Sequence, residues 1–412
     1  MVIPCVPDVN NETQSRKPRL VLATSGFVNT VGTGLFLAVS LVYFTEHVGL
    51  GADQVGAALT LAGGIALLAN VPAARLAMRL GTRNALVMVN VAQMLVVAAF
   101  VFVDSLPAYC IIAIADLALA NASSAIRTGL IAEVSSDPDR VLTRAWLRSA
   151  SNVGLTAGTT LAIVCLAAGS SFAIRLGILA DAATYLISGA LVLLLPNIRT
   201  PAEIAKRKFV VMRDRWYMTL VGTTSVVYMS EAILTVGIPI WIVRLQDVPV
   251  TMVGVLMTMN TLGCALLQPR VASQVKTADQ AKIAARLAGA ALLVACCFIG
   301  LTSGLGPVTA ELLLAGGALA HLSGELLSSA ASWSYFYELA AEDRQVEYQA
   351  ASTMSYGLAT TLAPIMVTGL VISNGQAGWM GAGILFLLAS CALPIIAANK
   401  RRELVAMSQV VA

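Results

Sequence analysis

Four acidic residues, Asp116, Asp181, Glu231 and Glu325, lie well inside long apolar stretches of the 412-residue sequence. An ionisable group inside a hydrocarbon layer costs at least about 2.5 kcal/mol by insertion scales, so each of them is a candidate functional residue. A carboxylate that is kept from water can take up and release a proton near neutral pH. The chemistry that these residues could support is therefore reversible protonation.

Two interpretations of Glu231 and Glu325 stay open: they couple protons or contact a substrate, or they form a buried structural pair. His321 lies one helical turn before Glu325 and could tune or relay its proton, or it could be a hydrogen-bonded packing residue. Asp116 could line a cavity, and it lies about 16 Å from Arg127 along one helix. Because that separation is too large for a direct ion pair, each of these two charges needs a partner on another helix.

Arg127 and Arg148 fall near the ends of their apolar stretches. Long basic side chains at such positions usually reach water by snorkelling. Asn29, Tyr228 and Asn260 could bind polar groups of a substrate, although hydrogen bonding between helices explains them equally well.

Helical phase groups these residues, because positions i, i+4, i+7 and i+11 of an α-helix share one face. Four apolar stretches carry a polar stripe of this kind. The stripes are Ser25, Asn29, Thr33 and Ser40; Asp116, Ser123 and Arg127; Thr224, Tyr228, Glu231 and Thr235; and His321, Glu325, Ser328 and Ser332. They belong to the first, fourth, seventh and tenth apolar stretches of the chain.

The elements that must hold these stripes are predicted to be membrane-spanning helices. The chain is 58% hydrophobic and only 12% charged, whereas an ordinary soluble domain is roughly 25% charged. Each stretch is long enough to cross a bilayer and is apolar on all sides, unlike the alternating strands of a barrel. We therefore predict an all-α membrane protein with twelve spans, at residues 20–44, 54–74, 84–103, 109–130, 143–166, 172–195, 216–242, 252–268, 283–302, 308–333, 348–372 and 379–397.

The basic residues predict the orientation of these spans. With the N-terminus inside, 24 of the 26 Lys and Arg residues fall on the inner side, and only Arg175 and Arg244 fall outside. This bias marks the cytoplasmic side, so both termini are expected in the cytoplasm. Residues 1–19 lack the apolar core of a cleavable signal peptide and are expected to remain as a cytoplasmic tail. The net charge of +4 thus reflects topology rather than nucleic-acid binding.

The long polar segment at residues 197–215 divides the spans into two groups of six. We predict a six-helix bundle at 20–196, a cytoplasmic connecting loop at 197–215, a second bundle at 216–398 and a cytoplasmic tail at 399–412. The sequence has no phosphate-binding loop of the G-x-x-x-x-G-K-[ST] type, so an ion gradient is the expected energy source. The seven cysteines show no metal-ligand spacing, and we expect no metal and no cofactor.

The loop after the second predicted span, residues 74–83, reads ARLAMRLGTR and resembles the marker loop of the major facilitator superfamily. Arg79, Gly81 and Arg83 match the family pattern, while Ala74 replaces a glycine and Met78 replaces an acid. In the family this acid helps to latch the inner gate, so gating must be secured elsewhere. Asn152, Gly154 and Gly158 retain part of the antiporter signature of span five. Residues 237–241, 260–268, 324–325 and 347–349 also look like the same superfamily.

The resemblance is closest to the twelve-helix drug:proton antiporters and implies that spans one, four, seven and ten line a central cavity. Proton coupling is then expected of Glu231, Glu325, His321 and Asp116. The expected cavity residues are Asn29, Thr33, Ser123, Arg127, Tyr228, Thr235, Asn260 and Ser328. Arg79, Gly81 and Arg83 are expected to serve gating. Asp181, on the peripheral sixth span, is expected to form a structural hydrogen bond to a neighbouring helix, and Arg148 and Asn152 are also assigned structural roles.

The resulting expectation is a secondary transporter, not an enzyme, that exports small amphipathic compounds in exchange for protons. The alternative is a facilitator or proton symporter that imports a sugar or another polar metabolite. A membrane enzyme fits less well, because the two histidines, His47 and His321, are too far apart for a His-based metal site, and a sensor would need a signalling domain. The expected partners are a small-molecule substrate, protons and the lipid of a bacterial cytoplasmic membrane, without nucleic acid, and the chain is expected to be a monomer.

Overall fold

The computed structural model describes residues 9–168, 170–196 and 210–411, and these residues are helical nearly throughout. The α-helices are α1 (Val9–Val42), α2 (Ala52–Ala66), α3 (Asn70–Leu80), α4 (Thr82–Ala99), α5 (Leu106–Val134), α6 (Asp137–Ala167), α7 (Ser171–Val192), α8 (Arg215–Tyr228), α9 (Ile238–Leu245), α10 (Thr251–Ala272), α11 (Ala278–Gly300), α12 (Pro307–Glu338), α13 (Gln345–Met366) and α14 (Ser373–Val411). Short π-helical segments occur at Tyr43–His47, Ile233–Gly237 and Val367–Ile372. The all-α prediction is confirmed.

Eleven helical segments of the described chain are long and apolar enough to cross a membrane, compared with the twelve predicted. The last of them, Glu342–Ala406, is 65 residues long and contains both of the last two predicted spans. A straight helix of that length would measure about 98 Å, whereas the hydrocarbon core is about 30 Å thick. The segment is not straight, because Gly375 has a φ of 57° that breaks the helix.

Two predicted boundaries differ from the helices. Helix α1 begins at Val9, inside the predicted tail, and α14 continues to Val411, beyond the predicted end at residue 397. Residues 1–8 of the predicted tail and 197–209 of the predicted connecting loop lie outside the described residues.

Side-chain caps begin three of the described helices, at Ser170, Asp214 and Thr277. Asp214 precedes α8, and its Oδ1 atom accepts a hydrogen bond from the backbone N–H of Tyr217 at 3.0 Å. Its other oxygen lies 2.7 Å from Nζ of Lys400. Such caps satisfy N–H groups that the first helical turn leaves free. Asp214 therefore starts α8 and also ties it to α14.

Helix α1 packs closely along α6 in the N-terminal half. A Cβ atom at Gly158 would lie 2.0 Å from the carbonyl oxygen of Val31, and one at Gly154 would lie 2.6 Å from that of Phe27. Small residues four apart permit this approach of two backbones. The two glycines that the antiporter signature retains, Gly154 and Gly158, thus allow close contact between α1 and α6.

The two halves meet where α13 lies against α3 and α5, and where α10 lies against α6. We call the end of the bundle that carries Arg79, Arg83, Arg140, Arg215 and Arg344 the basic end. Contacts between the halves run from this end to the middle of the bundle. They include the hydrogen bond from Thr353 Oγ1 to Asn70 Oδ1 at 3.3 Å, and the side chains of Val346 and Leu67 against Gly129 and Gly357.

The glycine contact gives a direct test of the α1–α6 packing. Gly158→Ala should destabilise the protein strongly, because the added methyl group overlaps the Val31 carbonyl. Gly222→Ala is the matched control: a Cβ there meets nothing within 4 Å, and alanine favours a helix over glycine by about 1 kcal/mol. Thermal unfolding of the purified variants should show a lower midpoint for Gly158→Ala alone. Equal midpoints would refute the close approach.

Candidate functional site

Arg148, on α6 of the N-terminal half, binds two carboxylates of the C-terminal half. Its Nη2 atom lies 2.9 Å from Oε1 of Glu231 and also donates to Oε1 of Glu325. Its Nη1 atom donates to Oγ of Ser329 at 3.3 Å. The three charged residues form one cluster between the halves, which we call the ion triad. The expected snorkelling of Arg148 to water is not what the structure shows.

Glu325 has the most complete set of partners in the ion triad. It is 6% exposed, and its Oε2 accepts a hydrogen bond from Nδ2 of Asn260 at 3.1 Å. The Cys264 thiol lies 3.4 Å from its Oε1. Buried charges persist when such bonds satisfy them. Asn260 thus bonds to another helix rather than lining the cavity described below.

His321 adds a titratable group to the ion triad. The imidazole is fully buried, and its Nε2 lies 2.8 Å from the carbonyl oxygen of Ser230. A carbonyl only accepts, so Nε2 must carry a hydrogen. In the neutral ring Nδ1 is then an acceptor, yet it lies 3.9 Å from Oε2 of Glu325. The two atoms face each other beyond hydrogen-bond distance, and Nδ1 has no hydrogen-bond partner among the described residues.

The acceptor for His321 results from a break in the helical hydrogen bonding. Residues Met229 and Ser230 form a turn directly after α8, and a π-helical segment begins at Ile233. In an α-helix the Ser230 carbonyl would accept from the N–H of residue 234, whereas here it accepts from the N–H of Ile233 at 3.0 Å. Interruptions of this kind often occur at functional sites. Glu231 lies within this irregular stretch.

The ion triad holds two negative charges and one positive charge when both acids are ionised. Arg148 and Glu231 are about a quarter exposed, at 23% and 24% of their side chains. Removing Arg148 would leave two carboxylates uncompensated, whereas neutralising one acid would leave a balanced pair. The cluster is therefore sensitive to any change in protonation.

A cavity of about 330 Å³ lies inside the N-terminal half. Polar residues from α1, α4, α5 and α7 line one part of it, and aromatic residues line the part toward the end opposite the basic end. The polar group includes Asn29, Thr33, Gln93, Asp116, Ser123, Arg127, Asp181 and Tyr185, and the aromatic group is Phe36, Phe100 and Tyr109. Five of the predicted site residues, Asn29, Thr33, Asp116, Ser123 and Arg127, meet here.

Asp116 and Arg127 do not pair with each other, as their spacing requires. Oδ1 of Asp116 accepts a hydrogen bond from Nε2 of Gln93 on α4 at 3.2 Å. Nη2 of Arg127 is buried and has no hydrogen-bond partner among the described residues. Its Nη1 lies near Gly26, 3.4 Å from where a Cβ atom would be. Arg127 therefore faces the cavity instead of snorkelling to water.

Asp181 differs from the expectation of a hydrogen bond to a neighbouring helix. It is 1% exposed, and its bonds are to its own helix, where Oγ1 of Thr184 donates to its backbone carbonyl at 2.7 Å and to Oδ1 at 3.5 Å. It also lines the cavity and packs against Gly32 of α1. The predicted hydrogen bond from Asp181 to a neighbouring helix is therefore not found among the described residues.

The remaining predicted residues of the C-terminal half lie near the ion triad without sharing the cavity lining. Tyr228 is 7% exposed and its ring centroid lies 6.4 Å from that of Tyr356. Ser328 donates to the backbone carbonyl of Glu325 at 3.1 Å. Thr235 is exposed and donates to the carbonyl of Glu231 at 3.3 Å. In the N-terminal half, Asn152 of α6 is half-buried, and its backbone carbonyl accepts a hydrogen bond from the Thr156 hydroxyl at 3.0 Å.

The loop between α3 and α4 turns at Gly81, whose φ of 82° lies in the left-handed region that favours glycine. Arg83 donates to the backbone carbonyl of Leu195 at 3.1 Å, and Arg79 is exposed. Met78, where the family pattern has an acid, is buried in the hydrophobic core. The Thr82 hydroxyl next to this loop donates to Glu133 at the end of α5.

Helical phase and the cost of placing a charged group in the membrane did not identify Gln93, Tyr185 or Cys264 as site residues. Each lies on a span without a predicted stripe and carries no charge, so burying it in the membrane has no large cost that would distinguish it in the sequence. Tyr185 lies close enough to Asp116, Asp181 and Arg127 to interact with their charges. A search for buried amides and phenols opposite the stripes would have found two of these residues.

A family model described as the Major Facilitator Superfamily matches residues 22–364. A search of curated proteins finds no match for this chain. Among solved structures, a bacterial homologue of the iron transporter ferroportin, in its outward-facing state, is 14% identical with a TM-score of 0.73, covering 93% of this chain and 99% of that one. The human organic anion transporter TETRAN is 14% identical with a TM-score of 0.66, covering 92% and 99%. The E. coli fucose:proton symporter FucP is 11% identical with a TM-score of 0.65, covering 94% and 99%. At these identities the likeness concerns the fold alone.

From the ion triad we predict that replacing Arg148 strongly destabilises the protein, and that neutralising the two acids as well restores most of its stability. Arg148→Met should destabilise the protein by about 3–5 kcal/mol, because two carboxylates are left uncompensated. Adding Glu231→Gln and Glu325→Gln to this variant should restore most of the loss. Arg270→Met is the control, since Arg270 bonds only to its own helix, at the carbonyl of Leu266 (2.9 Å), among the contacts found for it. Thermal unfolding measures all three; a midpoint for Arg148→Met equal to that of the control would contradict the triad.

Proposed function

The chain belongs to the major facilitator superfamily, and on that premise we propose that it exports small amphipathic compounds in exchange for protons. It is a multi-pass membrane protein and a transporter rather than an enzyme, as its family and its apolar helices indicate. The observation that carries the proposal is the ion triad: one arginine of the N-terminal half shared by two carboxylates of the other half.

We propose twelve spans with both termini in the cytoplasm. The turn at Gly375 supports two crossings by the Glu342–Ala406 segment, since a Cβ at Gly378 would lie 2.3 Å from the carbonyl of Leu370. The chain thus folds back on itself at this point. The basic end then faces the cytoplasm by the positive-inside rule.

The arrangement of contacts supports an outward-open state. Contacts between the halves, such as Thr353 with Asn70, lie from the middle of the bundle to the basic end. The cavity reaches in the other direction, to Ser40 near the end of α1 and Tyr109 near the start of α5. A compound released from this cavity would leave on the side away from the cytoplasm.

Protonation of the ion triad supplies the coupling. A proton that enters from the outer side can bind one of the two carboxylates of the triad. It lowers the negative charge that holds Arg148. Because Arg148 belongs to the other half, the attraction between the halves weakens at their contact, and the inward-open state becomes more favourable.

The sign of this effect fits exchange rather than co-transport. The proton-loaded carrier would turn from outward-open to inward-open and release its proton to the cytoplasm. The deprotonated triad would then re-form as the substrate-loaded carrier turns outward. Alternating access of this kind needs only two facing states with different affinities for the proton and the substrate.

A polar-metabolite importer is the second candidate. The aromatic part of the cavity favours it, since Phe36 and Phe100, with ring centroids 5.2 Å apart, and Tyr109 offer faces on which a sugar ring could stack. FucP, a fucose:proton symporter, shares the fold. Against import, the same part of the wall is apolar and suits an amphipathic compound equally well.

The proton-coupling role predicts the behaviour of two isosteric variants. Glu231→Gln and Glu325→Gln should each reduce the pH-driven transport of ethidium in proteoliposomes to the level of protein-free liposomes, because neither amide can carry the proton. Glu311→Gln, on the same helix as Glu325 but distant from Arg148, should retain full activity. Full activity in both triad variants would exclude the assignment.

Export and import give opposite results in intact cells. Cells that express the protein should accumulate less ethidium than cells that express Glu325→Gln, because an exporter lowers the internal concentration. An importer would instead raise the uptake of a labelled sugar or other metabolite. Higher ethidium accumulation with the active protein would reverse the proposed direction.

A further inference from the structure

We propose that the cavity of the N-terminal half binds an organic monocation in which one amine lies between an aromatic ring and an oxygen substituent. The amine would lie against Asp116 and Asp181, the ring against Phe36 and Phe100, and the oxygen would accept a hydrogen bond from Arg127. This inference rests on the proposed function, since it names the class of compound that the transporter would carry.

The charge of the cavity favours a cation. Asp116 and Asp181 oppose the single charge of Arg127 among the described residues of the lining, which leaves one negative charge in excess when all three are ionised. All three charged side chains lie close enough to Tyr185 to interact with it electrostatically, so one occupant of the cavity can interact with all of them. A neutral or anionic occupant would leave the excess uncompensated, whereas a monocation cancels it.

The unsatisfied atoms of the cavity favour hydrogen-bond donors. Gln93 is 2% exposed, and its Oε1 has no hydrogen-bond partner in the described structure. Its orientation is fixed, because Nε2 donates to Asp116 at 3.2 Å. Oδ1 of Asn29 is another buried acceptor of this cavity that has no hydrogen-bond partner among the described residues. An ammonium group carries only donors and can satisfy such acceptors.

Arg127 requires a hydrogen-bond acceptor rather than a donor, and it lies beside a different part of α1 from Asp181. Its buried Nη2 is a donor without a described partner, and the guanidinium lies beside Gly26, whereas Asp181 lies beside Gly32. Six residues of helix separate these levels by about 9 Å. The occupant therefore needs an acceptor oxygen about 9 Å from its amine.

The aromatic wall sets the other end of the occupant. Phe36 lies about 6 Å beyond Gly32 along α1, on the side away from Gly26. Its ring and that of Phe100 are 5.2 Å apart, and Tyr109 lies 6.0 Å from Phe100. A ring bound here, an amine at Asp181 and an oxygen at Arg127 follow one another along the cavity.

Benzylaminohexanol has these three groups in this order at this spacing. Two analogues separate the contributions of these groups: benzyloxyhexanol has the same length but a neutral ether oxygen in place of the amine, and N-benzylhexylamine lacks only the hydroxyl. Isothermal titration calorimetry on the purified full chain measures the binding of each without any proton gradient. Benzylaminohexanol should bind at least about tenfold more tightly than benzyloxyhexanol, as expected for a charge-assisted hydrogen bond.

The variants locate the binding. Asp116→Asn and Asp181→Asn should each weaken benzylaminohexanol binding about tenfold and leave benzyloxyhexanol binding unchanged. Arg127→Met should remove the advantage of benzylaminohexanol over N-benzylhexylamine. Asp104→Asn, an exposed acid of the same half, is the matched control and should bind like the parent chain.

Three results would overturn the inference: no binding of either amine, equal binding of the amine and the ether, or undiminished amine binding in both Asp variants. The unmodified chain decides the first two, so a variant that fails to fold does not obscure the answer. Failure of the proposed function is a separate outcome. If the calorimetry gives the expected pattern but Glu231→Gln and Glu325→Gln still transport, the cation site stands and the coupling does not.

Discussion

One positive charge of the N-terminal half, Arg148, is shared by two negative charges of the other half, and the closed contact between the halves depends on this sharing. Neither Glu231 nor Glu325 has another basic partner of permanent charge among the ion pairs of the described residues. When the halves separate, the arginine and the acids must each be solvated or neutralised, and the cost of an unpaired buried charge is several kcal/mol. The electrostatic cost of separating the two halves is thus concentrated in the ion triad.

Helix α6 connects this contact to the cavity. Leu147 and Ser151 line the cavity, while Arg148, between them in the sequence, points to the acids of the other half. The glycines that follow, Gly154 and Gly158, join α6 to α1, which supplies much of the polar lining. Helix α6 therefore carries the arginine of the ion triad on one face and part of the cavity wall on another, so the two sites are joined by one helix without sharing a residue.

The sequence identified those site residues that carry a charge well inside an apolar span, because the cost of burying that charge can be recognised without knowing the neighbouring helices. Helical phase placed Glu231 with His321 and Glu325 on the inward faces of two spans, and Asp116 with Arg127 on another. It failed for Arg148, because a position near the end of a span is explained by snorkelling until the facing helix is known. It failed for Asp181 and Gln93 for a related reason, since a residue on a peripheral helix reaches the cavity only through packing against small residues such as Gly32.

The replacement of the family acid by Met78 shows why the ion triad matters for closure. Met78 is buried in the hydrophobic core, and the bond of Glu133 to Thr82 joins two parts of the same half. The basic end is held across the halves by packing, as of Val346 on Gly129, by the guanidinium of Arg144 over the Trp333 ring at 5.3 Å, and by neutral hydrogen bonds such as that of Thr353 to Asn70. In place of an acid at this loop, two acids of the C-terminal half bind Arg148 of the N-terminal half deeper in the bundle. Charged contact between the halves is therefore not lost with the family acid.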